Sequence, residues 1–259
     1  MITQAMFYHH GISSVKAFAW LCLLLFTNCQ RSVMVLLESP SLLERAELTR
    51  PIPENARKLA HLVEVHEKRT EVDAQPPDSH YTKAVIVFLH GQSYSSSTWM
   101  DRGSLSTFAA LGYHCIAPDL PGSGQTRGPA LSVHDKPQFL LSFLNVLGVR
   151  QVIVVTASMA AQYVLPLLAK DIFVCAVGIA PSNTHEIVQP ALYRTPILVL
   201  WGDYDTSLGP TAAANLRLLP NARLHKIANA GHACYLNNPQ AFEEVCVNFF
   251  DLIRNYHTL

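Results

Sequence analysis

The stretch QVIVVTASMAAQYVLPLLAK, Gln151 to Lys170, decides the fold. QVIVV is a continuous apolar run rich in β-branched residues, the mark of a strand buried on both faces. MAAQYVLPLLAK then has the composition of a helix. Ser158 lies where strand must become helix, and its neighbours Ala157, Ala160 and Ala161 are small enough to let the two elements approach. A sharp turn there would lift the Ser158 hydroxyl out of the sheet edge in strained geometry, as a nucleophile requires. The usual pattern is G-x-S-x-G; here it is T-A-S-M-A, with β-branched Thr156 where glycine is common. A serine in this place could also be a simple helix N-cap.

The same alternation extends in both directions. Upstream, Ala84–Leu89 and His114–Pro118 read as strands, with a helix over 97–111 between them and a helix over 133–147 after them. Downstream, Phe173–Ala180, Pro196–Gly202 and Ala222–Ala228 are strands, separated by a helix near 211–219 and followed by a final helix over 239–254. His61–Arg69 alternates enough to be an edge strand. This pattern predicts an α/β fold with a mostly parallel sheet and helices on both faces. The only connection where a lid is expected, Pro181 to Thr195, has fifteen residues, too few for a sizeable lid domain.

Ligands of such sheets bind beyond the carboxyl ends of the strands. His90-Gly91-Gln92 follows the first parallel strand, Ser158 the third, Gly202-Asp203-Tyr204-Asp205 the fifth, and Ala230-Gly231-His232 the last. A nucleophile, an acid and a base therefore each follow a different strand, in the chain order Ser, Asp, His. Ser158 is the expected nucleophile, His232 the expected base, and Asp205 the carboxylate that orients the base. Asp203 is the competitor, expected to support the loop. The oxyanion donors are expected to be the backbone N–H groups of Gln92 and Met159. His90 is expected to be structural.

FLHG, DLPGSG, the strand–serine–helix turn, WGDYD and AGH together resemble the α/β-hydrolase fold from Ala84 to the C-terminus. Within it, NAGHACYLNNPQ, YVLPLL and HGQSYSSSTW are similar to the abhydrolase domain-containing protein 14 family, closer to its A-type members. The resemblance implies a serine hydrolase acting on esters or amides through an acyl-serine intermediate, and the short 181–195 connection leads to the expectation of short acyl groups. The alternatives are an acyltransferase or deacylase that passes the acyl group to a thiol or amine, and a non-catalytic interaction protein that keeps the fold. The expected partner is a small acyl-bearing substrate.

The 259 residues carry 19 basic and 19 acidic side chains, so no electrostatic footprint for nucleic acid exists. No phosphate-cradling glycine loop or metal spacing stands out, and no cofactor is expected. The six cysteines are scattered without a C-x-x-C pair and are expected to be buried apolar residues. The chain divides into a leader or anchor over 1–32, a linker over 33–60 and a catalytic domain over 61–259. In the leader, Ala17 to Phe26 are ten apolar residues, and Thr27 and Cys29 fit a cleavage site. Membrane attachment through residues 17–37 would carry Arg31 into the span at roughly 2.5–3.5 kcal/mol. The expectation is a signal peptide or short signal anchor, with a cytoplasmic chain as the alternative.

Overall fold

The computed structural model describes residues 40–78 and 81–257. The apolar leader expected over 1–32, and the attachment segment at 17–37, lie outside the described residues. Among the described residues no helix is long and apolar enough to cross a membrane.

The sheet has eight strands: β1 (Val65–Glu67), β2 (Glu71–Ala74), β3 (Val85–Leu89), β4 (His114–Pro118), β5 (Val152–Ala157), β6 (Phe173–Ile179), β7 (Ile197–Gly202) and β8 (Ala222–Ile227). Their spatial order is β1-β2-β4-β3-β5-β6-β7-β8. From β4 to β8 the sheet is parallel; β1 and β2 add an antiparallel edge. The chain moves one way from β3 to β4 and the other way from β3 to β5. The crevice beyond the carboxyl ends of β3 and β5 is therefore the switch point where a ligand site belongs.

Both faces are covered because the central strands are apolar on both sides. On β5, Ile153, Val155 and Ala157 enter one core, while Val152 and Val154 enter the other. The helices that cover them are α1 (Pro40–Arg45), α2 (Glu54–Ala60), α3 (Ser97–Asp101), α4 (Ser104–Ala110), α5 (Lys136–Val146), α6 (Ala161–Val164), α7 (Leu208–Leu216), α8 (Cys234–Asn237) and α9 (Pro239–His257). The strand expected over 61–69 is the short β1, and its partner β2 was not expected. The single helix expected over 97–111 is split at Gly103, whose φ of +75° belongs to the left-handed region. The helix expected after Ser158 is also interrupted. Pro166 has no N–H to donate back along the helix, so α6 gives way to a 3₁₀ turn over Leu165–Leu167.

The described part of the 33–60 stretch, read above as a linker, is packed structure. Leu43, Leu48 and Ile52 are buried in the same core as α9. The Asn248 side-chain amide of α9 donates to the carbonyls of Leu48 and Arg50, and Arg57 of α2 donates to Glu244 at 2.8 Å. Mixed charge and two prolines hid this, because the buried apolar side chains Leu43, Leu48 and Ile52 are few and widely spaced. The cysteines follow expectation: among the described residues Cys115, Cys175, Cys234 and Cys246 are free and buried.

Candidate active site

The turn after β5 holds Ser158 at φ +52°, a strained conformation for a residue with a side chain. The strain is local: Ala157 before it is extended, and the residues after it enter a 3₁₀ turn and then α6. Gly91, just past β3, faces this turn. A Cβ built there would stand 3.9 Å from the Ser158 Cβ and 3.4 Å from the Tyr94 ring.

Asp205 and His232 reach the same crevice from loops after β7 and β8. The two loops touch at Gly202, where a Cβ would overlap the Ala230 and Gly231 carbonyls. Only glycine permits that approach. Asp203 ties the loops together by accepting the Ala230 N–H at 3.0 Å. Asp205 is 6% exposed and accepts the N–H groups of Ser207 (3.1 Å) and Gly209 (3.2 Å). The Ser207 hydroxyl also donates to Oδ1 at 3.4 Å, and His232 Nδ1 lies 2.9 Å from Oδ2. Burial opposes the Asp205 charge. The hydrogen bonds from His232, Ser207 and Gly209, with the attraction of His232, outweigh burial and hold the carboxyl below its usual pKa.

A carboxylate can only accept, so His232 Nδ1 carries the proton in this pair. Nε2 is then free to accept, and it lies 3.0 Å from the Ser158 hydroxyl oxygen. The structure thus brings Ser158, His232 and Asp205 into one hydrogen-bonded chain, with Asp203 outside it. Gln92 lines the cleft beside them. Met159 follows Ser158 directly, with its sulfur against Lys136.

His90 is fully buried behind this site. Its Nε2 accepts the Leu120 N–H at 3.0 Å, which puts its proton on Nδ1, 2.8 Å from the Gly91 carbonyl. Burial lowers its pKa and keeps the ring neutral, as this pattern needs. Asp119 supports the same loops by accepting Ser96 N–H at 2.8 Å and Gln125 N–H at 2.7 Å.

The cleft above Ser158 encloses about 180 Å³, with Gln92, Tyr94, Ile179, His232 and Tyr235 in its walls. The 182–193 segment is not among the residues that line it. It forms two 3₁₀ turns, packs Ile187 and Tyr193 against the core, and is held to α7 by the Asn215 side-chain amide, which donates to Thr184 Oγ1 at 2.9 Å. Sequence reasoning also missed Lys136, Gln162 and Asn183, which form a partly buried polar chain next to the Ser158 turn. A lysine at the start of a helix carries no signal that separates it from a solvated surface charge.

The eight-stranded sheet and the switch-point site place the molecule in the α/β-hydrolase class. The alpha/beta hydrolase family model matches residues 86–194. Among solved structures, an alpha/beta hydrolase from a Mar Chica lagoon sediment metagenome superimposes with a TM-score of 0.59 at 22% identity, covering 73% of this chain and 98% of that one. MenH from S. aureus gives 0.60 at 17%, covering 73% and 100%. These likenesses concern the fold. Among curated proteins, ABHD14A of Danio rerio is 37% identical over 63% of this chain and 63% of its own length. ABHD14A of Rattus norvegicus is 36% identical over 65% of this chain and 72% of its length. ABHD14B of Homo sapiens, whose name gives protein-lysine deacylase as a proposed activity, is 33% identical over 67% of this chain and 86% of its length. The chain belongs to the abhydrolase domain-containing protein 14 family.

Proposed function

We propose that this chain is a serine hydrolase that cleaves short acyl esters or amides through an acyl-serine intermediate. The observation that carries the reading is the unbroken chain from Ser158 Oγ to His232 (3.0 Å) and on to Asp205 (2.9 Å), at the mouth of a cleft. In this reading His232 Nε2 takes the Ser158 proton as Oγ attacks the acyl carbon. The carbonyl oxygen becomes an oxyanion facing the N–H groups of Gln92 and Met159. Collapse breaks the bond to the alcohol or amine, which leaves with the proton from His232. Water then enters and attacks the acyl carbon while giving a proton to His232; as the bond to Oγ breaks, His232 returns that proton to Ser158 and the acid is released. Asp205 stays ionised throughout and stabilises the imidazolium form of His232.

The name of the ABHD14B relative favours a second reading, in which the bond cleaved is the amide of an acylated lysine. The two readings share the chemistry and differ in the leaving group. A fluorophosphonate probe tests what they share: the full chain should label once, and Ser158→Ala should abolish labelling and turnover of nitrophenyl acetate without loss of folding. Retained turnover in that variant overturns the assignment, and an unlabelled parent chain would support a non-catalytic role. Comparing nitrophenyl acetate with an acetyl-lysine peptide separates the two leaving groups.

A further inference from the structure

Lys136 opens α5 but does not behave like a surface lysine. It is 6% exposed, and its ammonium lies over the Tyr163 ring and 3.4 Å from the Met159 sulfur. Burial pushes its pKa below the usual lysine value. Its hydrogen bond goes to Gln162 Oε1.

That bond has a directional consequence. An ammonium can only donate, so Gln162 must turn its oxygen toward Lys136 and its NH₂ the other way. The NH₂ donates to Asn183 Oδ1 at 2.8 Å and to Ser182 Oγ at 3.3 Å. Asn183 is oriented from its far side as well, because its own NH₂ donates to Glu186 at 2.7 Å. A one-way relay therefore runs from a cation to a carboxylate and holds the 182–183 turn, where Asn183 sits at φ +58°.

The turn is joined to the nucleophile: the Ser182 N–H donates to the Ser158 carbonyl at 3.1 Å. That carbonyl and the Met159 N–H belong to one planar trans peptide and point in opposite directions. Whatever fixes the first aims the second.

We propose that Lys136 and Gln162 are positioning residues for the oxyanion donor at Met159, acting through Ser182. The inference rests on the reading of Ser158 as nucleophile. Ground-state binding in the cleft does not depend on this N–H, whereas the oxyanion does. Loss of the relay should therefore lower kcat with little change in KM.

The decisive variant is Gln162→Glu. It keeps an acceptor for Lys136, as an ion pair, but turns the donor to Asn183 into a second acceptor. The full chain is assayed on nitrophenyl acetate beside Ser158→Ala and Lys136→Met. The expected result is a fall in kcat of roughly 10- to 100-fold for Gln162→Glu and Lys136→Met, the scale of a small misplacement of a catalytic group. KM should stay within about threefold, and Gln162→Glu should melt no lower than the parent, the gain of an ion pair acting against the lost donor. Turnover retained in Ser158→Ala overturns the underlying reading. With Ser158→Ala inactive, the relay alone is overturned by any one of three results: kcat of Gln162→Glu within twofold of the parent, a change confined to KM, or losses of kcat that follow melting temperature across the variants.

Discussion

The cleft makes a quantitative demand on substrate size. Its volume of about 180 Å³ is well below the roughly 300–1,000 Å³ of sites that enclose a drug-sized ligand. Ile179, Tyr94 and Tyr235 supply apolar wall, but Gln92 and His232 interrupt it, and the 182–193 segment does not enter the lining. Each methylene that an enzyme buries gains about 0.8 kcal/mol, close to a fourfold rise in kcat/KM. A lipid pocket would add that gain at every step, so octanoyl over acetyl, six methylenes apart, would reach roughly 10³-fold. Here the gain should stop once the cleft is full. We expect kcat/KM on nitrophenyl esters to be greatest for acyl groups of about two to four carbons, with octanoate no more than about tenfold above acetate. No jump in rate should occur above the micelle threshold. Rates from C2 to C12, measured below and across that threshold, provide the assay. A steady fourfold rise per methylene through C8, or activation at the interface, would refute the reasoning and require an apolar channel opening off the cleft.

The two aspartates of WGDYD should separate cleanly. Asp205→Asn should lower kcat by about 10⁴-fold, as loss of the orienting carboxylate does in serine proteases. Asp203→Asn, which only weakens the tie to Ala230, should keep most turnover and lower the melting temperature; the reverse pattern in kinetics and melting shows that the roles are exchanged. Glu243 of α9 supplies a pH prediction. It is 4% exposed, its nearer guanidinium nitrogen is 3.9 Å away, and burial raises its pKa from 4.5 to about 7. The folded state then holds the proton more tightly than the unfolded one, so the stability this group contributes is full below about pH 4.5 and lost as pH rises through 7. The difference amounts to about 3 kcal/mol, and Glu243→Gln should remove that slope and melt above the parent at pH 8. Melts from pH 5 to 8.5 that keep the parent's slope in the variant contradict this.

The parts of the fold that were legible in the sequence are those where apolar burial leaves no choice of element. β3, β5, β6 and β7 are near-continuous apolar runs and lie within a residue or two of where the sequence put them. β2 was not legible because Glu71-Val72-Asp73-Ala74 is half acidic. Asp73 is nevertheless buried there, accepting from His114 at 2.9 Å, and neither partner alone signals a strand. The docked 43–60 stretch was missed for a related reason: besides Arg57 it is held by a few scattered apolar side chains and by the backbone carbonyls of Leu48 and Arg50, and carbonyls have no sequence signature. The approach of Ser158, His232 and Asp205 was legible because each follows a strand of one parallel sheet, whose carboxyl ends share an edge. The distances within that group and the relay behind it depend on side-chain directions that spacing does not encode.

Thr156 was the departure from the usual serine turn, and its surroundings show how the turn accepts it. In the sheet register it stands beside Leu89 of β3 and Gly178 of β6. Gly178 carries no side chain to press on the branched Thr156, and Pro181 and Ile197 fill the room beside that glycine. What the surroundings do not supply is a partner for the hydroxyl. Thr156 is fully buried and its Oγ1 has no hydrogen-bond partner. A buried hydroxyl without a partner costs about 1–3 kcal/mol in lost hydration. Valine keeps the branched shape and removes that cost. Thr156→Val should therefore raise stability by about 1 kcal/mol, a melting shift of roughly 2–4 °C for a domain of this size, with kcat/KM unchanged. A lower melting temperature would mean that the hydroxyl is satisfied by a bound water and that threonine is retained for that contact. A loss of kcat at unchanged stability would mean that the hydroxyl acts on the strained Ser158 turn two residues away.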